Sequence, residues 1–415
     1  MTRPRADLVV RNASELLTCA SDANLGVVRG GAVAVADGVV VAAGAWEEVE
    51  AAADLGGATV IDAADCVVMP GFVDCHTHVV FGGSRVDEYS AKLTGGDLDA
   101  LRAAGAPVGI VGTVSATRRL GVDGLVAEAL PRVEEMLLAG TTTIESKSGY
   151  GLETEAELNM LRANWEIARR LPVDIVSTFL GAHAAPVGVD RARYVDTVVQ
   201  DMIPRVADEG LAEFCDVYCE PGYFDNHDTE RILKAGLAAG LMPKVHVDQY
   251  SHTGAAELVA RLRCVSADHL NYTTPDEMEI LGRAGVVGVL MPSIDFAVDH
   301  PRLADGRAML AAGMRIALAT DICPGGWMPS MQLVVALACR FYRLSPAEAI
   351  LAATVGAASA VGRPGQVGSL ERDALADILV LDVERHEDIA YRFGRNAVRT
   401  VVKRGRVVVE DGRLV

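Results

Sequence analysis

The fold is decided by one stretch of the chain, Val67-Val68-Met69-Pro70-Gly71-Phe72-Val73-Asp74-Cys75-His76-Thr77-His78. Its apolar run predicts a buried strand that leads into two histidines separated by one residue. Because side chains alternate along a strand, His76 and His78 are expected to point the same way. Two imidazoles at the carboxyl end of a strand can bind a metal that prefers nitrogen and oxygen ligands. A pair of histidines packed in the core is the alternative at this point.

The composition limits the class of protein. With 415 residues, of which 50% are apolar, the chain suits one large barrel plus a smaller module. The net charge of 38 − 56 = −18 argues against nucleic-acid and anionic-membrane partners. No apolar run is long enough to span a bilayer, and the amino terminus has no signal-peptide pattern. Eight cysteines without a C-x-x-C pair are expected to be free thiols in a reducing cytoplasm.

Both ends of the chain are rich in short strands and turns. Asp37-Gly38 is a hairpin signal, and Gly405 and Asp411-Gly412 supply turns near the carboxyl end. Strands are predicted at 7–11, 31–36, 39–43, 59–62, 377–382, 398–403 and 407–410. We therefore expect residues 1–68 and 365–415 to form one small composite β-sandwich domain.

The middle of the chain, residues 69–364, alternates strand and helix patterns. Strands are predicted at 67–75, 141–145, 173–181, 213–219, 242–247, 264–269, 286–291 and 315–320, and helices at 125–138, 155–170, 191–208, 229–239 and 257–263. Eight such units predict an α/β fold, a (β/α)8 TIM barrel. A doubly wound open sheet is the alternative, but no G-x-G-x-x-G motif follows the first strand.

In such a barrel the functional side chains gather at the carboxyl ends of the strands. Five of the nine histidines fall at these predicted ends. They are His76, His78, His183, His246 and His269. A mononuclear hydrolytic metal needs three or four protein ligands and an open position for water. His76, His78, His246 and Asp321 meet that need from strands one, five and eight.

The remaining candidate residues are assigned to proton transfer and to the substrate. Asp321 can both bind the metal and accept a proton, and His269 can polarise a carbonyl or move that proton; a core histidine is the alternative for His269. Arg85, in a glycine-rich loop, suits the capture of a carboxylate, although it also fits an ordinary surface arginine. Structural roles remain open for Tyr150 and His183.

Several motifs resemble the amidohydrolase superfamily and, within it, the imidazolonepropionase family of ring-opening enzymes in histidine degradation. The resemblance runs nearly end to end. It is carried by the motifs at 70–78, 81–85 (Phe-Gly-Gly-Ser-Arg), 145–151 (Glu-Ser-Lys-Ser-Gly-Tyr-Gly), 181–184 (Gly-Ala-His-Ala) and 391–394 (Tyr-Arg-Phe-Gly).

The resemblance implies specific roles for these residues. His76, His78, His246 and Asp321 fall on the ligands of one divalent metal, zinc or iron (Zn²⁺ or Fe²⁺/Fe³⁺). Arg85, Tyr150 and His183 fall on positions that contact the propionate and ring of the substrate, and His269 falls on a catalytic histidine. The implied substrate is a small carboxylated heterocycle, and a homodimer is the implied assembly.

The sequence also departs from the family pattern. Gln249 stands where the family has a glutamate that orients or deprotonates the attacking water, and an amide cannot accept that proton. After Asp321, Cys323 replaces an asparagine, Gly326 replaces a hydroxyl residue, and Trp327 is an added bulky residue. A tyrosine found after the arginine loop is replaced by Leu98. Gln249, Cys323 and Gly325 are accordingly predicted to line an altered substrate pocket, with Gln249 also in the catalytic set.

The predicted reaction is hydrolysis of a five-membered cyclic amide that carries a carboxylate. The departures favour a modified imidazolone or a hydantoin over imidazolone propionate itself, which predicts slower turnover of the latter. A heterocyclic amine deaminase and a metal-binding protein without activity are the competing hypotheses. A two-metal site would need a bridging carboxylate or a modified lysine near strand four. Glu220 is the only nearby candidate in the sequence and no lysine lies there, which favours one metal.

Overall fold

Residues 3–21 and 23–415 are described by a computed structural model of the chain. Its central feature is one sheet of eight parallel strands, each paired with the next along the chain. We number them barrel strands 1 to 8: Phe72–Asp74, Thr141–Lys147, Asp174–Ala182, Phe214–Cys219, Met242–Val247, Ser266–His269, Val287–Leu290 and Ile316–Leu318. Helices connect these strands, so the predicted α/β barrel is confirmed.

The barrel closes where its first and last strands meet. The Asp321 N–H donates to the His76 carbonyl at 3.0 Å, and the His78 N–H donates to the Ile322 carbonyl at 2.8 Å. Beside them, the Thr320 hydroxyl donates to Asp74 at 2.6 Å. These bonds join the two edges directly past the strand ends, which rules out the open doubly wound sheet.

Two further sheets are built from both ends of the chain. Four strands form the first sheet, in the spatial order Val39–Gly44, Gly31–Ala36, Leu8–Ala13 and Thr59–Asp62. Seven form the second, in the order Arg413–Leu414, Arg406–Glu410, Val398–Lys403, Ile378–Leu381, Val67–Pro70, Glu15–Leu17 and Val27–Val28. Val10 and Val33 of the first sheet share one buried core with Val68, Ile378 and Val402 of the second, as in a β-sandwich.

The prediction of a single strand over 67–75 is wrong. Val67–Pro70 belongs to the seven-stranded sheet, whereas Phe72–Asp74 is barrel strand 1. The Gly71 N–H donates to the Asp377 carbonyl in the sandwich, and the Phe72 N–H donates to the Gly140 carbonyl in the barrel. A Cβ on Gly71 would lie 2.2 Å from Oγ1 of Thr142, so only glycine allows the chain to pass between the two sheets here.

Helices surround the barrel and cover parts of the sandwich. They are Trp46–Ala52, Val86–Thr94, Leu98–Ala103, Gly109–Arg118, Val122–Leu138, Thr154–Arg170, Arg191–Thr197, Ile203–Asp208, Asn226–Ala238, Ala256–Arg261, Pro275–Ala284, Pro292–Ala297, Gly306–Ala311, Met331–Phe341, Pro346–Leu351, Ala357–Ala360 and Glu387–Tyr391, with π-helical turns at Val198–Met202 and Ala352–Gly356. Apolar side chains such as Leu158, Val217 and Val245 pack in the main buried cluster. Within the described ranges, none of these helices has both the length and the apolar character needed to cross a bilayer.

The division into domains at residues 68/69 and 364/365 stays a proposal. All eight cysteines lie in the described part of the chain, and each is a free thiol as predicted.

Candidate active site

The four predicted metal ligands meet at the carboxyl end of the barrel. His76 and His78 follow barrel strand 1, His246 lies in strand 5, and Asp321 follows strand 8. Oδ1 of Asp321 lies 3.8 Å from Nε2 of His76 and 3.7 Å from Nε2 of His78. One ring nitrogen from each of the three histidines lies within 4.8 Å of the others. All four side chains are buried, so the arrangement is a compact pocket of nitrogen and oxygen donors.

This pocket fits a divalent metal. Nε2 of His76 and of His246 are buried without a hydrogen-bond partner among the described residues, which is costly unless another group satisfies them. Burial lowers the pKa of His76 and of His78 well below the usual range for histidine. Both rings are therefore neutral and present a lone pair, the form in which imidazole binds metals.

Two carboxylates contact the Nδ1 atoms of two of the candidate histidine ligands. Nδ1 of His76 donates to Oδ2 of Asp268 at 2.6 Å, and Nδ1 of His246 lies 3.0 Å from Oδ2 of Asp216. Such contacts fix the tautomer with the proton on Nδ1, so that Nε2 of each ring presents a free lone pair. We had not predicted either carboxylate from the sequence. The available signal was one aspartate inside the otherwise apolar strand Phe214–Cys219 and another directly before His269.

A buried charge network surrounds these carboxylates. Nζ of Lys147 lies 2.7 Å from Asp216 and 3.3 Å from Asp268, and Nζ of Lys244 lies 2.8 Å from Glu145. The pKa of Lys147 stays well above its usual range because the carboxylates outweigh the opposing effect of burial. Together with Asp321, the network holds four carboxyl groups and two ammonium groups, and this excess of carboxyl groups favours a divalent cation.

His269 lies beside this centre, and its backbone is unusual. The centroid of its ring lies 5.4 Å from that of His76 and 5.3 Å from that of His246. His269 and Asp321 have φ angles of 81° and 50°, in the left-handed region that costs energy for residues other than glycine. In an ideal strand Asp268 and His269 would point to opposite sides. The positive φ of His269 accompanies a geometry in which both approach His76.

Tyr150 and His183 form an aromatic wall next to the ligands. The ring of His183 stacks on that of His78, with centroids 5.1 Å apart and 9° between the planes. Tyr150 meets His183 edge-on at 5.1 Å and His78 at 5.5 Å. Burial lowers the pKa of His183 to about 3, so this ring is neutral near pH 7. The wall offers a flat apolar face and two polar edges to a small planar ring.

Arg85 is held in place by Glu88, a residue that we had not predicted. Nε and Nη2 of Arg85 donate to the two carboxylate oxygens of Glu88 at 2.6 and 2.8 Å. Glu88 also accepts from the Gly109 N–H at 2.8 Å. The pair leaves Nη1 of Arg85 available, and a Cβ on Gly325 would lie 3.8 Å from it. The guanidinium is therefore oriented in advance towards the loop that follows Asp321, rather than free at the surface.

Gln249 is fixed by its neighbours. The Tyr218 hydroxyl donates to Oε1 of Gln249 at 2.8 Å, and the Gln249 backbone N–H donates to Glu220 at 3.2 Å. The amide N–H groups of Gln249 remain as donors, while its oxygen is engaged. Glu220, the candidate bridging carboxylate, accepts from the Ser251 hydroxyl at 2.5 Å and so serves the same loop.

The loop after Asp321 closes as a tight turn. The Cys323 N–H donates to the Gly326 carbonyl at 3.0 Å, and the Gly326 N–H donates back at 3.1 Å. Burial raises the pKa of the Cys323 thiol to about 12, so it is a neutral group. Trp327 does not join the ring-facing wall, because its indole N–H donates to Glu135 at 2.9 Å and the side chain is half exposed. Cys323 and Gly325, by contrast, adjoin Arg85.

An eight-stranded barrel with histidine and aspartate donors at its strand ends is the architecture of a metal-dependent amidohydrolase. The family model described as "Amidohydrolase family" matches residues 238–408. The imidazolonepropionase of Geobacillus kaustophilus is 43% identical, covering 98% of this chain and 99% of that protein. That of Halobacterium salinarum is 44% identical, with coverage of 98% and 99%. The chain belongs to the imidazolonepropionase family.

Solved structures agree on the fold. An adenosine deaminase from Xanthomonas campestris with bound zinc has a TM-score of 0.74 at 18% identity, covering 100% of this chain and 95% of that one. A triazine hydrolase variant has a TM-score of 0.76 at 18% identity, with coverage of 98% and 96%. At these identities the likeness concerns the barrel architecture alone.

Proposed function

We propose that the protein hydrolyses the ring amide of a carboxylated imidazolone, with imidazolone propionate as the first candidate. The observation that carries this proposal is the combination, in one pocket, of a four-donor metal centre and an arginine prepared for a carboxylate. The full-length similarity to imidazolonepropionases supports it. Ring opening adds water across one C–N bond and leaves an open-chain product.

Each residue group has a distinct task in this proposal. Nε2 of His76 and His246, together with His78 and Asp321, would hold the metal. When bound, a divalent metal supplies Lewis acidity that makes water reactive towards a ring carbonyl near neutral pH. Zn²⁺ and Fe²⁺/Fe³⁺ both suit this donor set.

A second group of residues would orient the substrate. Nη1 of Arg85 would pair with the carboxylate tail, while Tyr150 and His183 would flank the ring. Gln249 would donate a hydrogen bond from its amide N–H to a ring carbonyl, since its oxygen already accepts from Tyr218. Cys323 and Gly325 would complete the wall near Arg85.

Proton transfer must then proceed without Gln249. Asp321 and His269 would receive the proton from water and deliver it to the leaving ring nitrogen.

A related ring is the second candidate substrate, and Gln249 is the observation that favours it. An amide donor at this position suits a ring with an additional carbonyl acceptor, such as a hydantoin. An amide in place of a carboxylate also lowers the expected rate with imidazolone propionate, because general-base catalysis typically contributes about 10²–10⁴-fold.

A substrate comparison tests both candidates. Protein reconstituted with Zn²⁺ or Fe²⁺ would be assayed for loss of ring absorbance with imidazolone propionate, with the corresponding hydantoin, and with each ring lacking the carboxylate tail. We expect ring opening that requires the tail. Ammonia release without ring opening would instead indicate a deaminase, and no turnover of any ring would refute the proposal. Faster hydantoin turnover would select the second candidate.

Assembly and location complete the proposal. We propose a homodimer in the cytoplasm, in keeping with the eight free thiols. Sedimentation or light scattering of the purified protein would test the dimer, and a monomer at micromolar concentration would contradict it.

A further inference from the structure

The ammonium of Lys147 occupies a cradle of three carboxylates. Nζ lies 3.0 Å from Oε1 of Glu145, 2.7 Å from Oδ2 of Asp216 and 3.3 Å from Oδ2 of Asp268. None of these four side chains has any exposed area. Three N–H donors thus face three oxygen acceptors, which satisfies the ammonium completely.

Without its ammonium, the cradle has the composition of a metal site. The three carboxylates come from barrel strands 2, 4 and 6, so they approach a common point from different directions. Ligating atoms of His76, Glu145 and Asp268 lie within 4.8 Å of one another, and so do those of Asp216, His246 and Asp268. These two sets of donors share Asp268, and their three carboxylates are the groups that contact Nζ, next to the candidate metal centre.

We propose that Lys147 is a built-in cation that fills a second metal position and thereby keeps the centre mononuclear. Replacing Lys147 by a small side chain opens a site for a second divalent cation, held by Glu145, Asp216 and Asp268. The inference rests on the proposed function for the first metal, but the cradle is defined by its own contacts.

The geometry supports this exchange. Carboxylate oxygens bind zinc at about 2.0–2.2 Å, so the three oxygens need to move inward by about 0.5 to 1.3 Å. Electrostatics also favours this exchange, because without Lys147 the ammonium of Lys244 is the one ammonium group that still pairs with these carboxylates among the described residues. Buried charges that lose their partner are strongly unfavourable, and a divalent cation would restore the balance.

Lys244 provides a matched control. It is also fully buried, but its Nζ contacts a single carboxylate, Glu145, at 2.8 Å and the Cys75 carbonyl at 3.3 Å. Its removal deletes a buried positive charge without emptying a cradle of three carboxylates. Lys147→Met is a second control, since it removes the charge while its side chain still fills the space.

The experiment measures bound metal per chain and the coupling between metals. Wild type, Lys147→Ala, Lys147→Met and Lys244→Ala would be refolded and purified with excess Mn²⁺, desalted, and analysed by elemental analysis, circular dichroism and electron paramagnetic resonance. We expect two Mn²⁺ per chain with a spin-coupled spectrum for Lys147→Ala, and one uncoupled Mn²⁺ for the other three proteins.

The possible failures are distinguishable. Folded Lys147→Ala with no more Mn²⁺ than wild type would overturn the inference, and so would failure of this variant to fold at any Mn²⁺ concentration. If wild type binds no metal, the proposed function fails, whereas a gain of one Mn²⁺ in Lys147→Ala over wild type would still support the cradle. Two Mn²⁺ in Lys244→Ala would show that any loss of positive charge has this effect and would overturn the role of Lys147.

Discussion

Asp268→Asn is predicted to weaken metal binding by one to two orders of magnitude. The substitution replaces the charged acceptor of the 2.6 Å hydrogen bond from His76 with an amide. It also removes one of the three carboxylates around Lys147 and thereby reduces the excess of carboxyl groups over ammonium groups in the buried network. All three effects act in the same direction, against a divalent cation.

The magnitude follows from the surroundings of this bond. Loss of a group that orients a metal-bound histidine typically costs about 10–100-fold in affinity. We expect the upper part of that range, because both side chains are fully buried and water cannot replace the carboxylate. A factor of about 100 corresponds to about 2.7 kcal/mol of binding free energy.

Competition between the protein and a chelator of known affinity would measure the dissociation constant for Zn²⁺. Ser266→Ala is the matched control, because the Ser266 hydroxyl donates to the other oxygen of Asp268 at 2.6 Å without contributing charge. We expect a smaller loss of affinity for this control than for Asp268→Asn, because it removes one hydrogen bond but leaves the carboxylate that accepts from His76 in place. Wild-type affinity in a folded Asp268→Asn protein would refute the role of Asp268 as the partner of a ligand histidine.

Three further predictions concern the substrate pocket. Gln249→Glu should raise kcat/KM for imidazolone propionate by about 10-fold or more by restoring a proton acceptor; an unchanged or lower value in steady-state kinetics would contradict this. Arg85→Lys should raise KM by about 10-fold with little change in kcat, since an ammonium cannot both pair with Glu88 and present a fork to the substrate; a purely kcat effect would argue against a carboxylate anchor. The pKa of Glu88 is lowered from 4.5 to about 2 because hydrogen bonds from Arg85 and the Gly109 N–H outweigh burial. The ionised Glu88 therefore stabilises the folded protein above about pH 4.5, and this stabilisation is lost as the pH falls through about 2. The difference in Tm between wild type and Glu88→Gln should shrink over that range, and a constant difference would refute the assignment.

The sequence was sufficient to predict the main architecture. Eight apolar runs separated by helical patterns predict a barrel, because few other folds bury so many parallel strands. The short strands Glu15–Leu17 and Val27–Val28 were missed, since two or three residues carry no measurable periodicity. The split of 67–75 was missed for a different reason: both halves are apolar, and only the tertiary structure shows that they enter different sheets.

The candidate site was predictable only in part. Histidines at strand ends stand out because the residue type is rare and its position is marked by the strand pattern. Asp216, Asp268 and Lys147 lie within strands, and their mutual contacts depend on which strands are neighbours in the barrel. Glu88 was missed because its pairing with Arg85 at a spacing of three residues depends on a helix that begins at Val86. Trp327 is the opposite case. It stands out in the sequence because it is bulky and follows Asp321 closely, but its indole N–H donates to Glu135.

The closure of the barrel has a consequence for biosynthesis. The backbone of His76 and His78 forms hydrogen bonds with that of Asp321 and Ile322, about 245 residues later in the chain. The proposed metal ligands therefore lie where the first and last barrel strands close the barrel. A growing polypeptide on the ribosome holds the first two imidazoles long before the final carboxylate has been synthesised. Tight binding of the proposed metal therefore requires that translation has passed strand 8, and we expect metal loading only after the barrel has assembled.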